Sequence, residues 1–274
     1  MSIDAQSTLD VINRPVWSRL AGLYEGPDGW IDVGERNSIH AVAPEVRDQR
    51  ILDVGAGAGR TAWLLPLLSD HYVAIDYTPE MIERFHRQHP NNEVLEADAR
   101  DLSMFEDASF GLVVFSFNGL DAVSHDDRAA TLREFRRILK PNGVLVFSTF
   151  NKEGPAFEEK PWQVGRIDRH PSAYRAARFL GKLPGNTPRY LRSYQNWLKL
   201  QHLGEDHDTW GLSIFGGHDF GVLVHFITPQ EQLRELDGLG FQVTSLLGTD
   251  GGTIDPAAHN ADTVWFYVTA HKPS

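Results

Sequence analysis

Three glycines at alternate positions follow a short apolar strand that ends at Val54. They are Gly55, Gly57 and Gly59, and helix-forming sequence comes directly after them. Glycine lets the backbone take positive φ and leaves no Cβ between the turn and a ligand, while a following helix would offer unpaired N–H groups. Asp53 precedes the turn, where a carboxylate would repel a pyrophosphate but suit an ammonium or sulfonium group. The pattern predicts a strand, a tight turn and a helix start that cradle a ligand with positive charge.

A second carboxylate ends the next predicted strand. That strand, His71 to Asp76, brings Asp76 to a place about 20 residues beyond the turn, where an acid can accept both hydroxyls of a ribose. A dinucleotide-binding turn would carry a further glycine at position 60, which holds Arg60. Arg60 and Asp53 therefore disfavour an NAD-dependent oxidoreductase, which is kept as an alternative.

The glycine turn, Asp53 and Asp76, in this order, resemble the first two motifs of class I S-adenosylmethionine-dependent methyltransferases. The resemblance covers most of Ile51 to Phe150 and, more loosely, Phe226 to the C-terminus. It implies an α/β fold with a doubly wound, mostly parallel seven-stranded sheet (a Rossmann-like methyltransferase fold) whose last strand is antiparallel. Residues 1–150 would hold the N-terminal lead-in and the cofactor-binding half, 151–222 a helical cap insertion, and 223–274 the completion of the sheet.

The resemblance also implies the contacts of S-adenosyl-L-methionine. Tyr77 would lie along the adenosine, Met81 would pack on the adenine, Asp98 would accept from its amino group, and the backbone N–H of Ala99 would reach a ring nitrogen. Asp98 could instead cap a turn. The expected cofactor-binding residues are Asp53, Gly55, Ala56, Gly57, Asp76, Tyr77, Met81, Asp98, Ala99 and Phe115.

The methyl acceptor is expected at the carboxyl ends of the strands, where ligands of open α/β sheets bind. The apolar run from Ser109 to Val123 becomes polar at its end, so Phe117 and Asn118 are expected to contact the substrate. Asn118 could instead stabilise a turn. In the family the N-terminal lead-in folds over this pocket, which makes Tyr24 a third substrate-binding candidate or an ordinary packing aromatic.

Histidines are the candidate catalytic groups. A sulfonium is already an activated electrophile, so the enzyme mainly aligns the acceptor, excludes water and, for a hydroxyl or protonated amine, removes a proton. His218 and His225 precede the helix near Leu233, where the family often places substrate-facing groups, and imidazole titrates near neutrality. Packing is the alternative role for both. His86 and His89 lack a third ligand at metal spacing, so a solvated helix face and no metal site are expected.

Composition limits the partners. The 274 residues include no cysteine, which excludes disulfides, thiolate zinc sites and cysteine nucleophiles. The net charge of −11 argues against nucleic acid or an anionic membrane as partner, and no long apolar run or leader stands out, so a cytoplasmic location is expected. Lys160 to Leu203 alone carries a net +8, which could attract an anionic substrate, dock on the acidic core or bind nucleic acid.

The sequence as a whole predicts an S-adenosylmethionine-dependent methyltransferase that acts on an oxygen or nitrogen of a small molecule, and the basic cap allows an acceptor with an anionic group. We expect a monomer or homodimer. Besides the NAD-dependent oxidoreductase, a non-catalytic S-adenosylmethionine-binding protein is the other alternative.

Overall fold

The computed structural model describes residues 8–21, 31–163 and 188–274. Seven strands form the main sheet: β1 (Ile51–Val54), β2 (Tyr72–Asp76), β3 (Glu93–Glu96), β4 (Phe110–Phe115), β5 (Leu139–Phe150), β9 (Gln242–Gly248) and β10 (Trp265–His271). Their order is β3-β2-β1-β4-β5-β10-β9, and only β10 runs antiparallel to its neighbours. The predicted sheet, including its antiparallel last strand, is confirmed.

The helices of the described residues are α1 (Thr8–Leu20), α2 (Val33–Val46), α3 (Pro79–Gln88), α4 (His125–Ile138), α5 (the helical residues 188–200) and α6 (Pro229–Gly238). The helices α2, α3, α4 and α6 pack on strands of this sheet. Side-chain caps begin three of them, because Asp32, Ser124 and Thr228 each accept the backbone N–H three residues on. The central strands β1 and β4 are buried along their whole length, as expected for parallel strands covered on both faces. The strand order places the carboxyl ends of β2, β1, β4 and β5 side by side.

The predicted helix after the glycine turn does not form. Residues 60–64 make a series of bends and turns, and a single 3-10 turn, Leu65–Leu67, follows. Pro66 explains the difference, because it has no N–H to donate and its ring clashes with the carbonyl four residues earlier in an α-helix. The prediction of a helix start here was wrong, although the turn itself is present.

A second, antiparallel sheet packs beside the carboxyl ends of the main one. It consists of β6 (Glu205–Asp206), β7 (Trp210–Phe215) and β8 (Val222–Ile227). The segment predicted as a helical cap thus contains α5 and also most of this sheet. In the described part of that segment, the helical residues are those of α5 and of the 3-10 turns Pro161–Gln163, Gln201–Leu203 and Gly216–His218, and residues 164–187 lie outside the described residues.

A buried ion pair ties α4, α6 and β5 together beneath the carboxyl end of β5. The guanidinium of Arg128 donates to Asp121 at 2.5 Å and to Gln232 at 2.5 Å. Asp121 also accepts from the hydroxyl of Thr149 and from the backbone N–H of Phe150. Burial raises the pKa of Asp121 to about 7. Because Asp121 holds the backbone of Phe150, this network fixes the position of a side chain that lines the cavity described next.

Candidate active site

One cavity of about 460 Å³ opens at the carboxyl ends of β1, β2, β4 and β5. This volume is in the range of sites that bind small molecules. Two ends can be distinguished by what lines them. The first, which we call the glycine-turn end, is lined by residues 53–58, 60, 61, 76–78, 81 and 97–100 together with Phe115. The second, which we call the aromatic end, is lined mainly by Trp17, Phe117, Phe150, Phe215, His218 and Trp265.

The glycine turn has positive φ at all three glycines, between 58° and 97°. A Cβ added at Gly55 would lie 2.6 Å from the ring of Phe115, and one added at Gly59 would lie 2.3 Å from the ring of His89. At Gly57 the nearest atom would be the sulfur of Met81 at 3.8 Å. Gly55 and Gly59 therefore permit close packing within the protein, whereas Gly57 leaves open space in the cavity.

Asp76 joins the end of β2 to the glycine turn. Its Oδ2 accepts the backbone N–H of Gly57 at 2.9 Å, and its Oδ1 accepts that of Thr78 at 2.8 Å. Burial raises the pKa of Asp76, and these backbone donors oppose the shift. Each carboxylate oxygen has two acceptor sites, so Asp76 can hold the turn and also accept from a ligand hydroxyl in the cavity.

Asp53 forms a buried network below the turn. Its Oδ2 accepts from the hydroxyl of Thr61 at 2.6 Å and from that of Tyr72 at 2.7 Å. Burial raises the pKa of Asp53 to about 6, while the two hydroxyls and the charge of Arg60 oppose the shift. Asp53 contributes to the cavity lining and also braces the strand that carries the turn.

Arg60 borders the cavity at the end of the turn and pairs with a buried carboxylate on α2. Its Nη1 and Nη2 donate to the two oxygens of Glu35, both at 2.7 Å, and Nη2 also contacts the hydroxyl of Ser116 at 2.7 Å. The hydroxyl of Ser116 in turn hydrogen-bonds Glu35. The guanidinium carbon lies 4.9 Å from the ring centre of Phe117, a cation–π distance. From the sequence, Arg60 was noted only because it stands where a dinucleotide-binding turn has glycine. Glu35 was not identified as a residue of the site.

Asp98 is bound tightly by a neighbouring arginine. Arg100 donates its backbone N–H and its side-chain Nε and Nη2 to the carboxylate of Asp98, at 2.5 to 3.1 Å. Arg100 also pairs with Asp10 at 2.8 Å and with Asp127 at 3.2 Å. The turn-capping contact considered for Asp98 is thus present. Asp10 lies on α1, so this cluster fastens α1 across the glycine-turn end.

The aromatic end is built from rings that come from distant parts of the chain. Phe150 lies 4.6 Å from Phe215 and 6.3 Å from Trp265 between ring centres, and Phe117 lies 6.0 Å from Trp265. Trp17 on α1 meets His218 edge to face at 4.7 Å. Such rings offer a large apolar surface that excludes water and favours flat ligands.

Asn118 supplies a polar group to the cavity wall. It has a left-handed backbone, with φ of 62°, and its N–H donates to the hydroxyl of Ser148 at 2.7 Å. The side chain is buried, and its Oδ1 has no hydrogen-bond partner among the described residues. A buried carbonyl without a partner is costly, so a donor on a bound ligand would stabilise it.

The two candidate catalytic histidines occupy different places. His218 lines the cavity, and burial lowers its pKa to about 4, so its imidazole is neutral at neutral pH. His225 is absent from the lining: it is fully buried on β8, with its Nε2 3.0 Å from Nδ1 of His125 and its ring stacked near Trp210. His225 therefore does not reach the cavity, and we do not retain it as a candidate base.

The structure brings most of the expected site residues together. The ten expected cofactor-binding residues, together with Phe117, Asn118 and His218, all line the one cavity, and their roles stay predictions. Tyr24 lies outside the described residues. His89, expected on a solvated face, is buried against Gly59 and Phe85, whereas His86 is exposed. Trp17, Phe150, Phe215 and Trp265 were missed, because only tertiary packing places them here.

Known proteins resemble the part of the chain that carries the glycine turn. Residues 51–143 match the family model of the methyltransferase domain. Over 144 residues the chain is 40% identical to a demethylmenaquinone methyltransferase of Clavibacter sepedonicus, a match covering 50% of this chain and 57% of that protein. It is 29% identical to a ubiquinone biosynthesis O-methyltransferase of Xanthomonas oryzae pv. oryzae, over 47% of this chain and 58% of the relative. The chain thus spans less than two thirds of either relative.

A solved structure shares the fold over the whole chain. It is the 1,6-didemethyltoxoflavin-N1-methyltransferase of Burkholderia thailandensis with its substrate and S-adenosylhomocysteine, with a TM-score of 0.56, 15% identity, and coverage of 100% of this chain and 94% of that one. The chain thus has the fold of this methyltransferase, and residues 51–143 match the methyltransferase domain. Together these matches support S-adenosylmethionine as the cofactor.

In residues 8–21, 31–163 and 188–274, no helix combines the length and apolar character needed to cross a bilayer. Within the same ranges, no three His, Cys, Asp or Glu side chains are grouped as metal ligands.

Proposed function

We propose that this protein transfers the methyl group of S-adenosylmethionine to an oxygen or nitrogen of a small molecule with a flat, uncharged ring. The observation that carries the proposal is a single cavity in which the glycine turn and Asp76 meet a wall of aromatic rings. The open space at Gly57 fits a cofactor that passes close to the backbone, and Asp76 has acceptor capacity for ribose hydroxyls. When bound, S-adenosylmethionine supplies an activated methyl group.

The aromatic end favours a ring-shaped acceptor. Its walls offer apolar faces, and the described residues there add two uncharged polar groups, the imidazole of His218 and the amide of Asn118. A hydroxyl or N–H of the acceptor can donate to the buried Oδ1 of Asn118, which has no other partner in the described chain. The names of the quinone-related relatives agree with an aromatic acceptor.

An anionic acceptor has less support than a neutral one. In the described part of the basic segment, Arg189 and Arg192 both pair with Asp219, at 2.6 and 3.5 Å. These contacts favour docking of the basic segment against the protein over capture of a charged substrate. Asp219 directly follows His218, so the two arginines also hold the turn that carries the candidate base.

We assign the proton transfer to His218. In methyl transfer to a hydroxyl, the S–CH₃ bond breaks, a bond from the acceptor oxygen to the methyl carbon forms, and the hydroxyl proton must leave. Because His218 is neutral at neutral pH, one ring nitrogen can accept that proton. An imidazole with a low pKa is a weak base, which suffices for a methyl group that is already activated.

The experiment has two stages. Calorimetry with S-adenosylhomocysteine tests the cofactor end, and a radiolabel assay with methyl-tritiated S-adenosylmethionine then screens phenols, quinols and aromatic amines against aliphatic alcohols and carboxylates. We expect S-adenosylhomocysteine to bind and label to appear in ring acceptors. Absence of binding would refute the methyltransferase assignment, whereas binding without transfer to any acceptor would favour the non-catalytic cofactor-binding protein.

A further inference from the structure

Trp265 forms one wall of the aromatic end, and its plane decides how a flat ligand can lie there. Its ring is inclined by 71° to that of Phe117 and by 89° to that of Phe150. A flat acceptor stacked on Trp265 would therefore meet both phenylalanine rings edge to face, an arrangement that aromatic pairs favour. This fit depends on the orientation of the indole plane.

The orientation of an indole is only loosely set by its own bonds. The torsion that joins an aromatic ring to its Cβ has a broad preference, so a tryptophan ring can turn about it. A hydrogen bond to the indole N–H acts at one edge of the ring and selects one orientation. The N–H of Trp265 has two acceptors, the Oδ2 of Asp32 at 3.3 Å and the hydroxyl oxygen of Tyr267 at 3.1 Å.

Asp32 connects the start of α2 to β10 through its two carboxylate oxygens. Oδ1 accepts the backbone N–H of Glu35 and so caps α2, whereas Oδ2 accepts the hydroxyl of Tyr267 at 2.8 Å. Tyr267 is two residues after Trp265 on β10, so both side chains project from the same face of the strand. A Cβ added at Gly34 would lie 2.8 Å from the Tyr267 ring, which shows how closely α2 packs there.

From this arrangement we propose that Asp32 and Tyr267 are positioning residues, which fix the plane of Trp265 against which a flat acceptor binds. The inference rests on the proposed function. Neither Asp32 nor Tyr267 lines the cavity, so each acts on the acceptor through the indole and not by touching it. Because Trp265 belongs to the aromatic end, binding of the cofactor at the glycine-turn end should not depend on these two residues.

The competing explanation is that these hydrogen bonds only fasten α2 to β10. Both explanations predict a less stable protein when a hydrogen bond is removed. They differ in what the cavity distinguishes. A purely structural contact would change the affinities for flat and for non-flat ligands alike, whereas a contact that positions Trp265 would change the preference for the flat ligand.

The test compares 2-naphthol, a flat and uncharged ring, with decahydro-2-naphthol, which has the same carbon skeleton without aromatic rings. Calorimetry on the wild-type chain saturated with S-adenosylhomocysteine should show about tenfold tighter binding of 2-naphthol, the gain expected from one well-oriented aromatic contact.

Two substitutions remove the acceptors of the indole N–H. Asp32→Asn keeps the cap of α2 but presents an amide NH₂ group in place of Oδ2, and Tyr267→Phe removes the hydroxyl. Each leaves Trp265 one of its two acceptors, so the preference should fall to about threefold, and in the double variant to about twofold or less. The affinity for S-adenosylhomocysteine should stay within about twofold of wild type in all three.

A spectroscopic signature reports the orientation itself. When the seven tryptophans are replaced by 5-fluorotryptophan, Trp265→Phe identifies the fluorine resonance of that ring. In the double variant Asp32→Asn with Tyr267→Phe, this resonance should broaden or split, because the ring is no longer held in one orientation. The resonances of the other tryptophans should keep their wild-type positions.

Thr228→Ala is the matched control, since it removes the side-chain cap of α6, a helix that takes no part in these contacts. It should keep the wild-type preference and the resonance of Trp265. Equal weakening of both naphthol compounds, an unchanged preference, or a loaded wild-type chain that does not prefer 2-naphthol would overturn the inference and leave the methyltransferase assignment standing. A wild-type chain that does not bind S-adenosylhomocysteine would refute the proposed function itself.

Discussion

The two ends of the cavity are built in different ways. The glycine-turn end consists of backbone groups and carboxylates from consecutive strand ends, within residues 53–100. The aromatic end is assembled from α1, the end of β5, the turn after β7, β8 and the start of β10. The first end depends on local backbone geometry, which many related sequences can share. The second depends on which side chains the surrounding elements carry, so it is the part that can select the methyl acceptor.

Asp76 gives the strongest test of the glycine-turn end as the place where the cofactor binds. We predict that Asp76→Ala lowers the affinity for S-adenosylhomocysteine at least about 100-fold, because it removes a charged acceptor for the ribose and frees the N–H groups of Gly57 and Thr78. Isothermal calorimetry measures the change. Asp70→Ala, at an exposed aspartate in the loop before β2, is the control and should bind as the wild-type chain does. Similar affinities for both variants would show that Asp76 does not hold the cofactor.

At the aromatic end, the largest expected effect is that of His218→Asn. We predict about a 100-fold lower kcat with an unchanged affinity for S-adenosylhomocysteine, since a positioned general base contributes about that much. His225→Asn is the control, because His225 lies on β8 and does not line the cavity. It loses the contact with His125 and should lower thermal stability, but its kcat should stay within about twofold of wild type because it does not line the cavity. A reversed pattern would transfer the catalytic role to His225.

The low pKa of His218 also predicts a pH dependence of stability. Its pKa falls from 6.5 to about 4 on folding, so below pH 6.5 the unfolded chain binds a proton that the folded chain does not. Stability contributed by this group is therefore complete above pH 6.5 and decreases as the pH falls towards 4, by at most about 3 kcal/mol. Asp53 and Asp121, whose pKa values are raised, act in the opposite direction.

The contribution of His218 is isolated by difference. Urea unfolding of the wild type and of His218→Asn at pH 7 and pH 5 should show that the variant loses less stability on acidification. Equal losses in the two proteins would contradict the assigned shift.

A smaller effect is expected from the ring walls. Phe215→Ala should raise the KM for a ring acceptor about tenfold, because a bound ring loses the apolar contact of one aromatic side chain. Affinity for S-adenosylhomocysteine should not change. Phe157→Ala is the matched control, since Phe157 packs on Phe226 but does not line the cavity. If both variants raised the KM alike, the aromatic end would not be where the acceptor binds.

The same contrast explains what the sequence could predict. The glycine turn and Asp76 were found because strand ends, positive φ and carboxylate spacing are local properties. The role of Arg60 was not predicted, because its partner Glu35 lies on α2, away from the glycine turn in the sequence. Trp17 and Trp265 are far apart in the chain, and no local pattern indicates that they line one cavity. The predicted helix after the turn failed for a local reason, Pro66, whose effect outweighed the apolar periodicity around it.

The smallest expected effects are those of alanine substitutions in the glycine turn. They separate two roles of these glycines, which are close packing within the protein and space for the cofactor. Gly57→Ala should cost about 1–2 kcal/mol of stability from the left-handed backbone alone, since an added Cβ meets only the sulfur of Met81 at 3.8 Å. Its Cβ would project into the open space of the cavity, so binding of S-adenosylhomocysteine should weaken as well. Gly55→Ala adds a 2.6 Å contact with Phe115 and should lower the unfolding free energy more. Denaturation measures the stability of both variants, and calorimetry measures their affinity for S-adenosylhomocysteine. If Gly57→Ala bound S-adenosylhomocysteine as the wild type does, Gly57 would serve only the backbone conformation of the turn and not cofactor binding.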